Sequence, residues 1–193
     1  LFLMIKPLPN FLSKEELKLA QQYWALREPV LPPCDQCPNA VAAYGDPLSE
    51  TFMVHKKSLV EKAVGEPLIG TYSFSRVYYR QSLLAKHYDR PACEVSITLN
   101  IYADKEWPLW FLKLGPDKKP IEKEPCPLIT QPGDAAVYSG MDYDHWRDPY
   151  EGEKCMQVFL HYVKANGNYK AFAQDGRKYF GQMKEESLRQ IWQ

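Results

Sequence analysis

From Ile69 onward, the apolar residues of the chain recur with the period of two that is typical of β-strands. The pattern predicts seven strands, near 70–80, 93–103, 107–114, 127–131, 135–139, 143–147 and 154–164. Turns rich in glycine and proline separate these segments. Many short strands joined by turns are typical of a barrel or a sandwich. The fold is therefore expected to be mainly β with flanking helices.

The N-terminal third of the chain contains the signals of helices. Ser13 and Glu16 form the pattern of a capping box in front of an apolar helical repeat, so a helix is expected to begin there. A second helix is predicted over 49–64 and ends at the Gly-Glu-Pro sequence that starts at Gly65. The proline-rich segment 29–47 between them is predicted to be a loop.

Charge and cysteine content restrict the partners and the compartment. The chain has 24 basic and 24 acidic residues, so nothing indicates attraction to nucleic acid or to an anionic membrane. It has no apolar run of membrane-spanning length and no signal-peptide pattern. Five cysteines, an odd number, favour a reducing compartment, and we expect a cytoplasmic location.

Cys34 and Cys37 form a Cys-x-x-Cys pattern within the proline-rich segment. The pair could be half of a zinc site, but no second pair stands at zinc-finger spacing. It could be redox-active, although a strand-to-helix turn like that of thioredoxins is missing. We interpret the pair as two loop thiols.

His87 and Asp89 are the residues with the clearest chemical signal. In an extended segment, positions i and i+2 point to the same side, so one imidazole and one carboxylate can reach a single metal. His145 is the best candidate for a third ligand, although taken alone it would be interpreted as a buried, hydrogen-bonded histidine beside Trp146. Two histidines and one carboxylate suit non-haem Fe(II) and O₂ chemistry. His55, on a predicted helix, is expected to be a surface or packed residue.

The order of these elements resembles the 2-oxoglutarate- and Fe(II)-dependent oxygenases, with the prolyl-4-hydroxylase-like branch as the closest likeness. The resemblance rests on His87-x-Asp89, on the distal His145 and on Lys154 nine residues later. It extends over roughly 11–163. It implies a double-stranded β-helix, which is a cupin-like jelly roll with the metal inside one end. One departure is Gln81, where the family often has glycine.

The resemblance also implies an activity and its cofactors. Fe(II) would be held by His87, Asp89 and His145, with 2-oxoglutarate as co-substrate and O₂ as oxidant. The reaction would hydroxylate an unactivated C–H bond and release succinate and CO₂. Two alternatives stay open: a cupin-like metal enzyme that does not use 2-oxoglutarate, and a non-catalytic jelly-roll binding or sensing protein. The substrate would be a small molecule, a peptide or a protein.

The far carboxylate of 2-oxoglutarate needs a cation. Lys154 is the first candidate because family members place a basic residue near that spacing. Tyr78, nine residues before His87, corresponds to a tyrosine that many prolyl-hydroxylase-like members direct at the co-substrate. Arg76 lies on the same predicted strand face as Tyr78 and is the second candidate for the anchor.

The length of 193 residues is enough for one domain with its own core, and we expect a single oxygenase domain over 1–193. Within it, support helices are expected at about 13–64, the jelly-roll core at about 69–164 and a C-terminal extension at about 165–193. Other residues are expected near the site. Trp107, Trp110 and Trp146 are predicted at the pocket mouth or in the core, Arg90 and Glu94 beside Asp89, and Gln157 and His161 behind the metal. In the extension, a loop and a short helix are predicted, and Ser187, Leu188, Ile191 and Trp192 are the residues expected to dock on the body.

Overall fold

A computed structural model of the protein describes residues 5–182. The helix predicted near the C-terminus lies outside these residues. Within the described range, no helix is long and apolar enough to cross a membrane. Residues 5–182 form ten strands and three α-helices, together with short 3₁₀ turns.

The three helices lie in the N-terminal part of the chain, between the first strands, and the remaining strands follow them. The strands are β1 (Ile5–Leu8), β2 (Ala40–Tyr44), β3 (Leu68–Tyr79), β4 (Leu84–His87), β5 (Val95–Ala103), β6 (Leu109–Lys113), β7 (Cys126–Leu128), β8 (Ala135–Tyr138), β9 (Tyr143–Arg147) and β10 (Lys154–Lys164). The helices are α1 (Lys14–Arg27), α2 (Pro47–His55) and α3 (Lys57–Val64).

The strands form two antiparallel sheets. The larger sheet has the order β1-β8-β5-β10-β3-β2, and the smaller sheet has the order β4-β9-β6-β7. From β3 onward the chain passes repeatedly between the two sheets, which makes the structure a jelly roll. The predicted fold class, a double-stranded β-helix with flanking helices, is confirmed.

The helices cover the outer face of the larger sheet. Apolar side chains from this face, including Ile97, Leu99 and Val158, pack in one core with Trp24 and Met53 from the helices. Because side chains alternate along a strand, the neighbouring residues of the same strands point to the other face, into the space between the sheets. That inner face carries most of the polar residues discussed below.

The predicted helix start at Ser13 is confirmed by both hydrogen bonds of a capping box. Ser13 Oγ accepts from the backbone N–H of Glu16 (3.1 Å), and a Glu16 carboxylate oxygen accepts from the backbone N–H of Ser13 (2.7 Å). These bonds satisfy two backbone donors that a helix start would otherwise leave without partners.

Two predictions about the N-terminal part were wrong in detail. The helix predicted over 49–64 is divided into α2 and α3 at Lys56, and Gly65 ends the second helix with φ of 83°. The segment 29–47 was predicted to be a loop, but it contains β2, which pairs with β3. Its sequence AVAAY is short and rich in alanine, which has low β-propensity, so pairing with a long neighbouring strand decides its conformation.

Candidate metal centre

The smaller sheet brings His87 and His145 together. His87 ends β4 and lies directly opposite His145 in β9, as antiparallel partners. Their ring centroids are 4.4 Å apart. Asp89 follows two residues after His87, and its Oδ1 lies 3.6 Å from Nε2 of His87 and 3.6 Å from Nε2 of His145. The three side chains predicted from the sequence thus converge at one point, where each offers one atom that could bind a metal.

Hydrogen bonds to the backbone determine which nitrogen of each ring faces Asp89. Nδ1 of His87 lies 2.7 Å from the carbonyl oxygen of Ala85, and Nδ1 of His145 lies 3.1 Å from that of Tyr143. A carbonyl oxygen only accepts, so Nδ1 carries the proton in both rings. In the neutral rings, Nε2 then presents a lone pair towards Asp89, which is the form that binds metals.

Asp89 is ionised in this environment. Burial alone would raise the pKa of its carboxyl group, but the interactions with His87, His145 and His161 in their protonated forms outweigh burial and hold that pKa below its ordinary value. Among the described residues, the buried Oδ2 atom of Asp89 has no hydrogen-bond partner. A buried carboxylate oxygen without a partner is costly, so this group is prepared for a cation.

The two histidines differ in their protonation. Burial would lower the pKa of His87, but its contacts with Asp89 and with the Ala85 carbonyl raise that pKa above its ordinary value. Burial dominates at His145 and lowers its pKa, although Asp89 opposes the shift. In the absence of metal, the half-exposed His87 therefore holds its proton to higher pH than the buried His145.

A cavity of about 270 Å³ opens next to these three residues, between the two sheets. This volume is close to the lower end of the range of ligand pockets, about 300 Å³. The cavity walls combine the three candidate ligands with aromatic and polar side chains, namely Gln36, Tyr72, Phe74, Arg76, Tyr138, Phe159 and His161.

Arg76 is the basic residue most deeply buried in the cavity wall. Its side chain is 3 % exposed, and its guanidinium donates to the Tyr78 hydroxyl (2.9 Å) and to Oε1 of Gln36 (2.7 Å). The guanidinium also lies over the ring of Phe74, 5.0 Å from the centroid. Within the described part of the chain, Arg76 forms no salt bridge with a carboxylate, and its Nε atom has no hydrogen-bond partner. A buried guanidinium with unused donors is suited to an anionic ligand.

Tyr78 lies on the same face of β3 as Arg76, as its spacing predicted. It is fully buried and packs edge-on against Trp107, with 4.8 Å between ring centroids. Its hydroxyl accepts a hydrogen bond from Arg76. Tyr78 therefore supports Arg76 from behind and does not belong to the cavity wall.

The structure does not bring Lys154 to the cavity, contrary to the expectation from its spacing. Lys154 begins β10, and the residues that face the interior from this strand are Phe159 and His161, at odd positions. Lys154 has the opposite parity and points to the outer side of the sheet. There its Nζ forms a salt bridge with Glu28 (3.0 Å). The lysine thus neutralises a carboxylate of the N-terminal region.

Several other predicted residues have structural roles. Arg90 forms a two-bond salt bridge with Asp175 (2.7 and 2.8 Å), and Glu94 accepts from the backbone of Lys164 (2.8 Å). Neither orients Asp89 by a direct contact. His55 lies on the surface beside Glu16, as expected.

Among the tryptophans considered for the pocket mouth, Trp107 is buried in the core. Trp110 and Trp146 stack on each other in the smaller sheet, with 6.4 Å between centroids. Leu109, next in sequence to Trp110, is the member of this segment that lines the cavity.

No sequence pattern indicates Gln36, which lies between Cys34 and Cys37 and contacts Arg76. Cys34 and Cys37 of this loop are free cysteines. Phe74 and Phe159 were also missed, although they pair directly across β3 and β10. Their alternation with Arg76 and His161 was a usable signal, because residues two apart on a strand share a face.

No protein-family model matches the sequence, and no curated protein matches it either. Solved structures do share the fold. A prolyl-4-hydroxylase from Pseudomonas putida superposes with a TM-score of 0.64 at 12% identity, over 83% of this chain and 92% of that chain. An oxidoreductase of the 2OG-Fe(II) oxygenase family from Burkholderia pseudomallei gives 0.65 at 16% identity, over 84% and 85%.

HygX from Streptomyces hygroscopicus, solved with nickel and 2-oxoglutarate bound, gives a TM-score of 0.64 at 10% identity over 94% of both chains. At these identities the likeness concerns the fold. This chain therefore has the double-stranded β-helix fold found in 2-oxoglutarate/Fe(II) oxygenases, as the sequence predicted.

Proposed function

We propose that this protein is an Fe(II)- and 2-oxoglutarate-dependent oxygenase that hydroxylates an unactivated C–H bond and releases succinate and CO₂. The observation that carries the proposal is the convergence of His87, Asp89 and His145 beside a cavity that also contains the buried cation of Arg76. A metal chelate at one end and a cation in the wall match the two ends of a keto dicarboxylate.

The donor atoms fit a ferrous ion. His87 and His145 offer Nε2 lone pairs because their Nδ1 atoms donate to backbone carbonyls, and Asp89 offers an ionised carboxylate. These three residues would hold the iron. When bound, Fe(II) in such a site supplies activation of O₂ together with positions for chelation of the keto acid.

Arg76 is our candidate for the anchor of the far carboxylate of 2-oxoglutarate. Its planar guanidinium can donate two parallel hydrogen bonds to a carboxylate, and its burial strengthens the charge interaction. Tyr78 and Gln36 fix the position of the guanidinium through the hydrogen bonds described above. Lys154 is not proposed for this role, because it pairs with Glu28 on the other side of the sheet.

Aromatic side chains form part of the cavity wall. Phe74, Tyr138 and Phe159 lie beside the polar groups of the cavity. Because Arg76 is 3 % exposed, its interaction with a bound carboxylate would be weakly screened. Apolar walls of this kind limit side reactions of a reactive oxidant with solvent.

The buried Arg76 distinguishes this proposal from the alternative of a cupin-like metal enzyme without 2-oxoglutarate. Such an enzyme does not need a buried cation in the cavity wall. Within the described residues, the guanidinium of Arg76 has no carboxylate partner. The three intact donor residues likewise disfavour a non-catalytic jelly-roll binding or sensing protein.

We propose a small molecule, a peptide or a protein as the substrate. The half-exposed ring of Tyr88, next in sequence to the candidate ligands, stands at the cavity and offers a surface for such a substrate. The balanced charge of the chain gives no support to a nucleic-acid substrate.

The proposal can be tested by anaerobic spectroscopy. Under nitrogen, addition of 2-oxoglutarate to the Fe(II)-loaded protein should produce the weak visible charge-transfer band of a keto acid chelated to ferrous iron. Succinate, which lacks the keto group, serves as the control and should produce no band. A featureless spectrum with stoichiometric iron and saturating 2-oxoglutarate would refute the co-substrate assignment.

A further inference from the structure

A second group of metal-binding side chains lies against the first. One atom each from Asp89, Cys93 and His161 lies within 4.8 Å of the others. Cys93 belongs to the 3₁₀ turn after Asp89, and His161 comes from the inner face of β10. Both side chains line the cavity. The fold thus places a thiol, an imidazole and a carboxylate around one point.

The ring of His161 is oriented like that of a metal ligand. Its Nδ1 lies 2.9 Å from the hydroxyl oxygen of Ser96, and this hydroxyl donates its proton to the carbonyl oxygen of Cys93 (3.3 Å). The Ser96 oxygen therefore accepts from Nδ1–H, and Nε2 of the neutral ring keeps its lone pair. Tyr72 packs against the ring, with 4.5 Å between centroids, and helps to fix it.

The contacts of the other two donors leave each of them a lone pair for an ion. The Cys93 sulfur is buried and contacts the Tyr72 hydroxyl (3.1 Å), which can donate to a thiolate. Oδ2 of Asp89 is buried and has no partner among residues 5–182. Within residues 5–182, Asp89, Cys93 and His161 form no hydrogen bond with one another. An ion between them would satisfy all three.

We propose that Asp89, Cys93 and His161 form a second metal position, suited to a thiolate-preferring divalent ion such as Zn²⁺. Thiolate, imidazole and carboxylate are the three common protein ligands of zinc, at about 2.0–2.3 Å from the ion. In a tetrahedral site, two ligands at such distances are roughly 3.3–3.8 Å apart, so side-chain rotations that move the donor atoms by about 1 Å close the site. The cavity side remains open for water as a fourth ligand.

Sharing of Asp89 couples the two positions. The Asp89 carboxylate would bridge two cations, and each bound cation would weaken the binding of the other cation by this carboxylate. The coupling is reciprocal, so an ion at either position lowers the affinity of the other. Binding at the second position also releases the thiol proton of Cys93 to solvent, because the ligand is the thiolate.

The test is a titration of the metal-free full-length protein with Co²⁺ under nitrogen, because a cobalt–thiolate bond produces a strong near-ultraviolet charge-transfer absorption. We expect two Co²⁺ per chain in the wild type, with the thiolate band in one of the two binding steps. Cys93→Ser should bind one Co²⁺ without the band. His145→Ala, which damages only the first position, should retain the band.

The paired cysteines of the proline-rich loop provide the matched control. A Cys34→Ser/Cys37→Ser double variant should keep the band, since neither thiol contributes to the proposed position. Loss of the band in this variant, its persistence in Cys93→Ser, or its absence from the wild type would each overturn the proposal. These outcomes are independent of 2-oxoglutarate binding, so they do not depend on the proposed activity.

X-ray absorption of the Zn²⁺-loaded double variant gives a second readout that does not rely on substitution of a buried residue. The proposal predicts a sulfur ligand at about 2.3 Å from one of the two zinc ions of each chain. A coordination shell with nitrogen and oxygen only would contradict it, whatever the folding of the Cys93→Ser protein.

Discussion

Residue 140 is a glycine, and a β-carbon at this position would lie 2.1 Å from Oδ2 of Asp89. The carboxylate of Asp89, a candidate metal ligand, therefore occupies the space that a side chain at position 140 would fill. The backbone N–H of Asp89 also donates to the carbonyl oxygen of Gly140 (2.8 Å). Gly140 thus holds the backbone of Asp89 and makes room for its side chain. Its φ is not positive, so only the contact requires glycine.

Gly140→Ala is therefore expected to displace the Asp89 carboxylate without straining the backbone. Loss of a group that orients a metal ligand costs roughly 10- to 100-fold in metal affinity. We expect a decrease in Fe(II) or Co²⁺ affinity of at least about tenfold, measured by calorimetry, while far-ultraviolet circular dichroism stays unchanged.

Gly167→Ala, in the turn after β10, is the matched control for the loss of a glycine. It should leave metal affinity within about twofold of the wild type. Equal affinity of the Gly140→Ala and wild-type proteins would show that Asp89 is not a ligand in the position described.

The second prediction separates the two candidate anchors of 2-oxoglutarate. Removal of one side of a buried, hydrogen-bonded charge pair costs roughly 2–5 kcal/mol. Arg76→Ala should therefore raise the dissociation constant of 2-oxoglutarate at least about 30-fold, measured by titration of the anaerobic Fe(II) protein. The affinity for iron in the absence of 2-oxoglutarate should change little.

Lys154→Ala is the control for Arg76→Ala, because it also removes one positive charge. It breaks a half-exposed salt bridge with Glu28, which is worth at most about 1 kcal/mol of stability. The dissociation constant of 2-oxoglutarate should stay within about twofold. A larger effect of Lys154→Ala than of Arg76→Ala would reverse the assignment.

The difference between these two residues shows where sequence reasoning succeeded and where it failed. The spacing of His87 and Asp89, and the position of His145, were enough to predict which side chains converge. The prediction that Lys154 anchors the co-substrate rested on its spacing from His145, by analogy with the family. This spacing takes no account of the alternation of side chains along β10. Gln157 and His161 share one face of β10, and this parity places Lys154 on the other.

Other features depend on contacts between distant segments and could not be obtained from local patterns. Gln36 reaches Arg76 only because the loop that contains it folds back over β3, the neighbour of β2. The alanine-rich β2 forms because β3 offers it a free edge. Capping of α1 was predictable because both partners, Ser13 and Glu16, lie within one turn of sequence.

The pH dependence of metal binding follows from the raised pKa of His87. Metal binds the neutral imidazole, so below the metal-free pKa of His87 the ion has to displace one proton. Because that pKa lies above the ordinary value of about 6.5, affinity should begin to fall already near neutral pH. It should then decrease about tenfold per pH unit on acidification. His145 has a lowered pKa and contributes only at more acidic pH.

Calorimetric titration of Cys93→Ser with Co²⁺ between about pH 6 and pH 8 measures this dependence at the first position alone. His55→Gln, which alters an exposed histidine, should give the same profile. A constant affinity over this range, or an affinity that increases on acidification, would contradict the predicted role of His87.

The capping box of α1 allows a direct estimate of its contribution to stability. Ser13→Ala removes the acceptor of the Glu16 backbone N–H and should lower the free energy of unfolding by about 0.5–2 kcal/mol in urea denaturation. Thr51→Ala removes a hydroxyl that bonds the Pro47 carbonyl within α2 and should change this energy less. A larger loss in Thr51→Ala would argue against the capping role of Ser13.

The central claim, oxidation driven by 2-oxoglutarate at His87, Asp89 and His145, is tested most directly by the formation of succinate. With Fe(II), O₂ and 2-oxoglutarate, the wild type should release succinate and CO₂ in equal amounts, and Asp89→Ala should release neither while keeping its fold. The account is contradicted if the iron-loaded wild type forms no succinate in the presence of a peptide and metabolite library, or if the folded Asp89→Ala protein forms it at the wild-type rate.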